Sequence, residues 1–295
     1  MLHHLIPVSH FHHGYSTSRL LCEKQAHQKD LKYVEIGKSK ELGVHKISLK
    51  TGFPAIVTPP PEAENELGGS CLPSPEFALE AFYPKGSISP GTLIPGGFGF
   101  YLTGPPDLVT GREVVASYRV MFERDWEWVK GGKLPGIFGG VGDLAYRCSG
   151  GRQDERCKCF DVRLMWRQNG AGELYTYLPQ TENNKSRLLA VPPLSRGNND
   201  YGYSVGRGSF TFEKGRWMCI SLRVRMNNVG QEDGELELVV DGCSVICVQG
   251  LTFRDSDEAV IKGMHFQTFF GGHGDDWASP KDQRAWFSEI TSVSL

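Results

Sequence analysis

The sequence predicts an all-β fold, a two-sheet antiparallel β-sandwich of the jelly-roll type. Three observations carry that expectation. Glycine and proline number 36 and 17 in 295 residues, as expected where many short strands are joined by turns. From about residue 70 onward, apolar and polar residues alternate in run after short run, the signature of strands with one buried face. No stretch carries the period of an amphipathic helix of useful length.

The elements follow in order. Residues 1–68 read as an N-terminal extension, ordered only in part. Five of the nine histidines fall in its first thirteen residues, and "TPPPEAENELGGS" reads as a linker. Residues 69–295 form the sandwich domain. In "VVASYRVMF", Val114, Ala116, Tyr118, Val120 and Phe122 share one face. In "MCISLRVRM", Met218, Ile220, Leu222, Val224 and Met226 share a face, with Arg223 and Arg225 opposite. "ELELVVDGCSVICV" is a hairpin around Asp241-Gly242, a strong two-residue turn signal. "GMHFQTFFGG" and "AWFSEITSVSL" supply two closing strands.

Composition excludes some classes of function. With 32 basic and 34 acidic residues the formal charge is -2, so the global positive field of a nucleic-acid binder is absent. No apolar run approaches the roughly 18 residues of a membrane span. The start "MLHHLIPVSHFHHGYSTSRLL" is not a signal peptide, having no basic start and apolar core. Three of the eight cysteines crowd into "CSGGRQDERCKC", where a disulfide between two of them closes the loop and points to an oxidising, extracellular compartment. "NKS" at Asn184 is a glycosylation sequon pointing the same way. Neither the histidine-rich start nor "GGHGDDW", with His273, Asp275 and Asp276, has convincing ligand spacing. No metal and no cofactor is therefore expected.

The densest chemistry lies in "CFDVRLMWRQNGAGELYTYLP", residues 159–179. Phe160, Val162, Leu164 and Trp166 alternate as a buried face, which turns Asp161, Arg163, Met165 and Arg167 the other way. With the hairpin centred on Gly170, Arg167 faces Glu173, Met165 faces Tyr175 and Arg163 faces Tyr177. Asp161, Arg163, Tyr175 and Tyr177 then share one polar face. A solvated outer sheet face looks the same. Flat phenol rings beside a fixed guanidinium also suit a sugar.

Three separated segments, "KGGKLPGIFGG", "RLMWRQNGAGELYTYLP" and "FQTFFGGHGDDWASPKDQRAWFSEI", resemble polysaccharide lyase family 14, the alginate and glucuronan-type lyases, over roughly residues 70–295. The resemblance implies a jelly roll that cleaves an acidic, uronic-acid polysaccharide by β-elimination, secreted and acting as a monomer. By position it implies that Lys133, Arg163, Tyr175 and Tyr177 are catalytic. Arg163 binds the sugar carboxylate, and Lys133 and a tyrosine share the acid and base roles in either order. Lysine and tyrosine can do this proton work if neighbouring positive charge lowers their pKa. Asp161, Arg167, His265 and Gln267 are the expected substrate-binding residues. One position departs from the family pattern, which has serine where this chain has Asp161. A carboxylate there repels a polyanion and can pair with Arg163; if it merely blocks catalysis, Asp161→Ser is expected to raise activity on polyuronates. Alternatively it acts as a base or accepts a sugar hydroxyl.

Two rival readings stand beside the lyase. "ERDWE" spaces Glu123, Asp125 and Glu127 two apart, as in strands of retaining glycoside hydrolases. In a regular strand, however, i and i+2 lie about 6.6 Å apart, beyond the roughly 5–5.5 Å that retaining chemistry requires. A non-catalytic carbohydrate-binding sandwich has the same fold.

Overall fold

The computed structural model describes residues 4–25, 30–63, 72–106, 111–272 and 274–295. Among them, the strands form two sheets stacked as a jelly-roll sandwich. One runs β15 (Cys243–Leu251), β14 (Gly234–Val240), β13 (Met218–Arg225), β7 (Glu113–Phe122), β17 (Gln283–Ser294), β1 (His13–Ser16) and β2 (Leu31–Tyr33). The other end of β17 pairs with β5 (Ala78–Tyr83), which carries β4 (Ile56–Val57). The second, here the site sheet, runs β11 (Arg196–Gly197), β12 (Tyr203–Thr211), β10 (Ala171–Tyr177), β9 (Cys159–Trp166), β8 (Gly132–Gly140), β16 (Val260–Phe270), β6 (Phe98–Leu102) and β3 (Val44–His45). All pairings are antiparallel except β1 with β2.

The alternation predicted for β7, β9 and β13 is observed. Val114 to Phe122 and Met218 to Met226, taken at every second residue, share one core with Phe160, Val162, Leu164 and Trp166. Burying each such side chain contributes about 1.5–3 kcal/mol. Phe98, Phe100 and Phe266 stack between the sheets, with Phe98 and Phe266 6.0 Å apart and 3° from parallel. The predicted Asp241-Gly242 hairpin forms, both residues at positive φ (48° and 82°). The N-terminal extension is built into both sheets through β1, β2, β3 and β4, and its Tyr15, Val34, Ile36 and Leu42 join the main core.

Three expectations are corrected. The β9–β10 hairpin is centred on Asn169, not Gly170, so Arg163 faces Tyr175 and Asp161 faces Tyr177. Asn169 takes the left-handed conformation (φ 58°) together with Gly170 (φ 76°), which tightens the turn. The register moves by two residues, so every side chain keeps its predicted face. "ERDWE" is not a strand, because β7 ends at Phe122. Trp126 turns its ring into the core, and its backbone N–H donates to Glu123 O at 3.0 Å. Asp125 pairs with Lys281, and Glu123 accepts from the Arg284 N–H. Arg223 and Arg225, opposite the buried face of β13, pair with Glu113 and Glu235 on the other sheet. Asn184 lies fully buried in helix α2 (Glu182–Leu189) and is unavailable to a glycan. Its amide donates to Pro179 O and Thr252 O and accepts from the Thr252 N–H, each at 2.8 Å.

Candidate active site

The outward face of the site sheet gathers the predicted residues from four strands. Lys133 comes from β8, Asp161 and Arg163 from β9, Tyr175 and Tyr177 from β10, and His265 and Gln267 from β16. A bulge between Leu134 and Gly136 lets Lys133 and Gly136 both face outward while Leu134 and Ile137 stay in the core. Gly136 lies so close to β9 that a Cβ there would stand 1.9 Å from Val162 O.

Lys133 is 8 % exposed, and its Nζ makes no hydrogen bond among the described residues. Nζ sits 3.2 Å from the centre of the Tyr175 ring and 5.2 Å from that of Tyr177. Burial, reinforced by the charges of Arg163 and Arg167, holds its pKa well below the usual lysine range, against a weaker pull from Glu173 and Asp161. The neutral amine, with a free lone pair, is thereby favoured.

The tyrosines shift the other way. Burial raises the Tyr175 phenol despite Arg167, and raises Tyr177 further. The condition that positive charge lowers them is not met for the phenols, because desolvation of a phenolate outweighs the nearby cations. Tyr175 is half-buried and reachable, whereas Tyr177 is 4 % exposed. Behind Tyr177 packs the disulfide Cys148–Cys159, the predicted loop closure, with Cys157 left free and exposed. The Arg156 guanidinium lies 5.1 Å from the Tyr177 ring.

Arg163 is 2 % exposed and does not pair with Asp161. Its Nε donates to Leu134 O at 3.2 Å, Nη1 to Gln267 Oε1 at 3.0 Å and Nη2 to Gln267 O at 2.7 Å. Three of the five guanidinium N–H groups are thus used, fixing the plane and leaving one N–H on each terminal nitrogen. Gln267, expected to bind substrate, braces the arginine.

Asp161 is 2 % exposed, and its Oδ2 lies 2.8 Å from His265 Nδ1. Burial, then Arg163, lowers the His265 pKa against Asp161. A neutral imidazole beside a carboxylate places its proton on Nδ1 and leaves Nε2 as an acceptor. Asp161 Oδ1 is buried with no partner among the described residues. Tyr101 stacks on His265, 4.2 Å between centres and 15° from parallel.

Arg167 is likewise occupied, its Nε and Nη2 donating to Glu173 Oε1 at 2.9 and 2.6 Å. The expected pair forms, diagonally rather than face to face. Glu173, fully buried, also accepts from Arg207 Nε at 2.6 Å and Ser204 Oγ at 2.7 Å. Sequence reasoning missed Tyr101, Arg156, Ser204 and Arg207, whose contacts here join residues far apart in the chain. The 3₁₀ turn Gly142–Arg147, which brings Tyr146 edge-on to Tyr101, was missed as well. Of the other candidate cluster, Asp276 pairs with Lys130, and His273 lies outside the described residues.

An amine of lowered basicity, two phenols of raised pKa and a braced guanidinium on one face can take a proton, return one and neutralise a carboxylate. The sequence profile described as Polysaccharide lyase 14 matches residues 73–290. The chain is similar to the crystal structure of the PL-14 alginate lyase from Aplysia kurodai, at 35 % identity and a TM-score of 0.67, covering 75 % of this chain and 84 % of that one. It is also similar in fold to an alginate lyase from Chlorella virus, at 20 % identity and a TM-score of 0.63, covering 87 % and 94 %. No curated protein sequence matches the chain.

Proposed function

This chain belongs to polysaccharide lyase family 14, and from that membership we propose how its residues divide the β-elimination of a uronic-acid polymer. The chain is a polysaccharide lyase. The sugar proton at C5 becomes acidic only when the neighbouring carboxylate is neutralised. Arg163 is suited to that task, with two N–H groups left beyond those that Leu134 and Gln267 hold. Lys133, as the neutral amine, takes the C5 proton. The C–H electrons pass into the carboxylate as an enolate, return to form the C4–C5 double bond and expel the C4 oxygen. Tyr175, as the protonated phenol, donates to that oxygen. Lys133 then carries one proton more and Tyr175 one fewer, and exchange with solvent restores both. Tyr177 backs Tyr175 from the disulfide side.

The observation that carries this reading is the buried, unpaired Nζ of Lys133 against the Tyr175 ring. A buried polar atom without a partner costs about 1–3 kcal/mol, a cost understandable where a substrate supplies the partner. The test is the ultraviolet absorbance of the unsaturated product on alginate, polymannuronate and polyglucuronate. Lys133→Ala and Tyr175→Phe are expected to lower kcat at least a hundredfold, within the range of general acid–base catalysis. Full activity in both variants would overturn the assignment. Alginate is the leading substrate on the resemblance to the Aplysia enzyme. The disulfide supports action outside the cell, and the chain is taken to act as a monomer.

A further inference from the structure

Directly opposed residues form one row across the site sheet, on its outward face. It runs from His45 on β3 through Tyr101, His265, Gly136, Arg163 and Tyr175, and continues onto β12 and β11. Neighbouring strands lie about 4.8 Å apart, so Arg163 and His45 are separated by four spacings, roughly 19 Å. A polymer laid across the strands along this row would reach β3 several sugar units from the bond that breaks.

At the β3 end, His45 and Lys46 lie before position 73, where the family match begins, and Tyr146 lies within it. His45 Nδ1 donates to Gly43 O at 2.9 Å, which leaves Nε2 to accept from the Tyr146 hydroxyl, also at 2.9 Å. Tyr146 thereby ties the 3₁₀ turn to β3, edge-on to Tyr101 at 4.9 Å. The next residue, Lys46, holds a left-handed backbone (φ 47°) that side-chain-bearing residues rarely adopt. Its Nζ lies 4.5 Å from the centre of the Tyr146 ring. Lys46 is exposed and makes no ion pair among the described residues. An isolated surface lysine would be solvated and mobile. This one is aimed by an unusual backbone and a ring that is itself fixed by His45.

We propose that Lys46, aimed by His45 and Tyr146, forms a distal subsite for a uronate carboxylate of the bound polymer. This rests on the polyuronate reading of the site. The ammonium supplies the charge, and the row from Tyr101 to Arg163 sets the path between this subsite and the reacting sugar.

The experiment compares wild type, Lys46→Glu and a control, Lys32→Glu on the other sheet, with mannuronate hexasaccharide and trisaccharide as substrates. A trisaccharide spanning the scissile bond does not reach β3. Lys46→Glu is expected to raise KM for the hexasaccharide about fivefold, the scale of one exposed charge pair, and to leave KM for the trisaccharide in place. Lys32→Glu is expected to change neither. Hexasaccharide affinity is measured separately by calorimetry in a Lys133→Ala background, where nothing is turned over. Weaker binding on adding Lys46→Glu, with no lyase signal from wild type, would keep the subsite and overturn the lyase roles. Equal affinities, or equal changes in KM for both lengths, would overturn the subsite.

Discussion

Lys133 acquires its chemistry from the surroundings of its stem. Burial and two arginines disfavour the ammonium form, which suits a residue that is a surface cation elsewhere to the base role proposed for it. The sign sets a pH profile. As a base Lys133 works deprotonated, so activity rises with pH along an acid limb that lies below the ordinary lysine pKa. As the proposed acid Tyr175 works protonated with its pKa raised, so the alkaline fall is expected above about 10. Arg167→Gln removes a charge that lowers the Lys133 pKa and leaves Glu173 less compensated. Both effects move the acid limb to higher pH, read from kcat against pH; a limb that stays still would detach Lys133 from the base role. Asp161 is more consequential than a blocking charge, because it orients His265 rather than occupying Arg163. Asp161→Ser is therefore expected to lower kcat on polyuronates, contrary to the reading of Asp161 as a mere block. A rise would mean that repulsion of the polymer dominates.

At the scale of the strand, the sequence disclosed faces better than neighbours. Alternation alone sorted β9 into Phe160, Val162, Leu164 and Trp166 inside and Asp161, Arg163 and Met165 outside. It could not fix the register, which depends on whether Asn169 or Gly170 turns first. Nor could it foresee that β7 stops at Phe122 and sends Trp126 inward. The Lys133 position was legible only through resemblance, since the bulge that aims it depends on Pro135 and Gly136 meeting β9. Glu173 ties β10 to Arg167 and to Arg207 on β12. Removing one member of such a buried network leaves its partners unpaired, at a cost of about 3–5 kcal/mol. Glu173→Ala is expected to lose stability on that scale, measured by urea denaturation, before any effect on chemistry is considered.

For the molecule as a whole, composition and alternation anticipated the two-sheet sandwich, and the N-terminal segment was the least legible part. Its apolar residues are sparse and aperiodic, yet Tyr15, Val34, Ile36 and Leu42 reach the core from it. Contacts that join residue 15 to the far end of the chain leave no local pattern. The loop closed by Cys148–Cys159 is short, with a sequence separation of 11, so the cross-link contributes about 3 kcal/mol by the chain-entropy account. It also backs Tyr177. Cys148→Ser with Cys159→Ser is expected to lower the melting temperature, and to lower kcat at temperatures where the fold persists. Unchanged kcat in that folded variant would limit the disulfide to stability.

The buried amide of Asn184 bears on how the chain is made. Its sequon is legible to an oligosaccharide transferase only while α2 is unformed, so in a glycosylating secretory host sugar transfer and folding compete for one nitrogen. A chain modified there cannot dock the helix and is lost to quality control. Ser186 is exposed, and Ser186→Ala removes the signal without disturbing the amide. In such a host that substitution should increase the secreted yield, whereas in a bacterial cytoplasm it should change nothing.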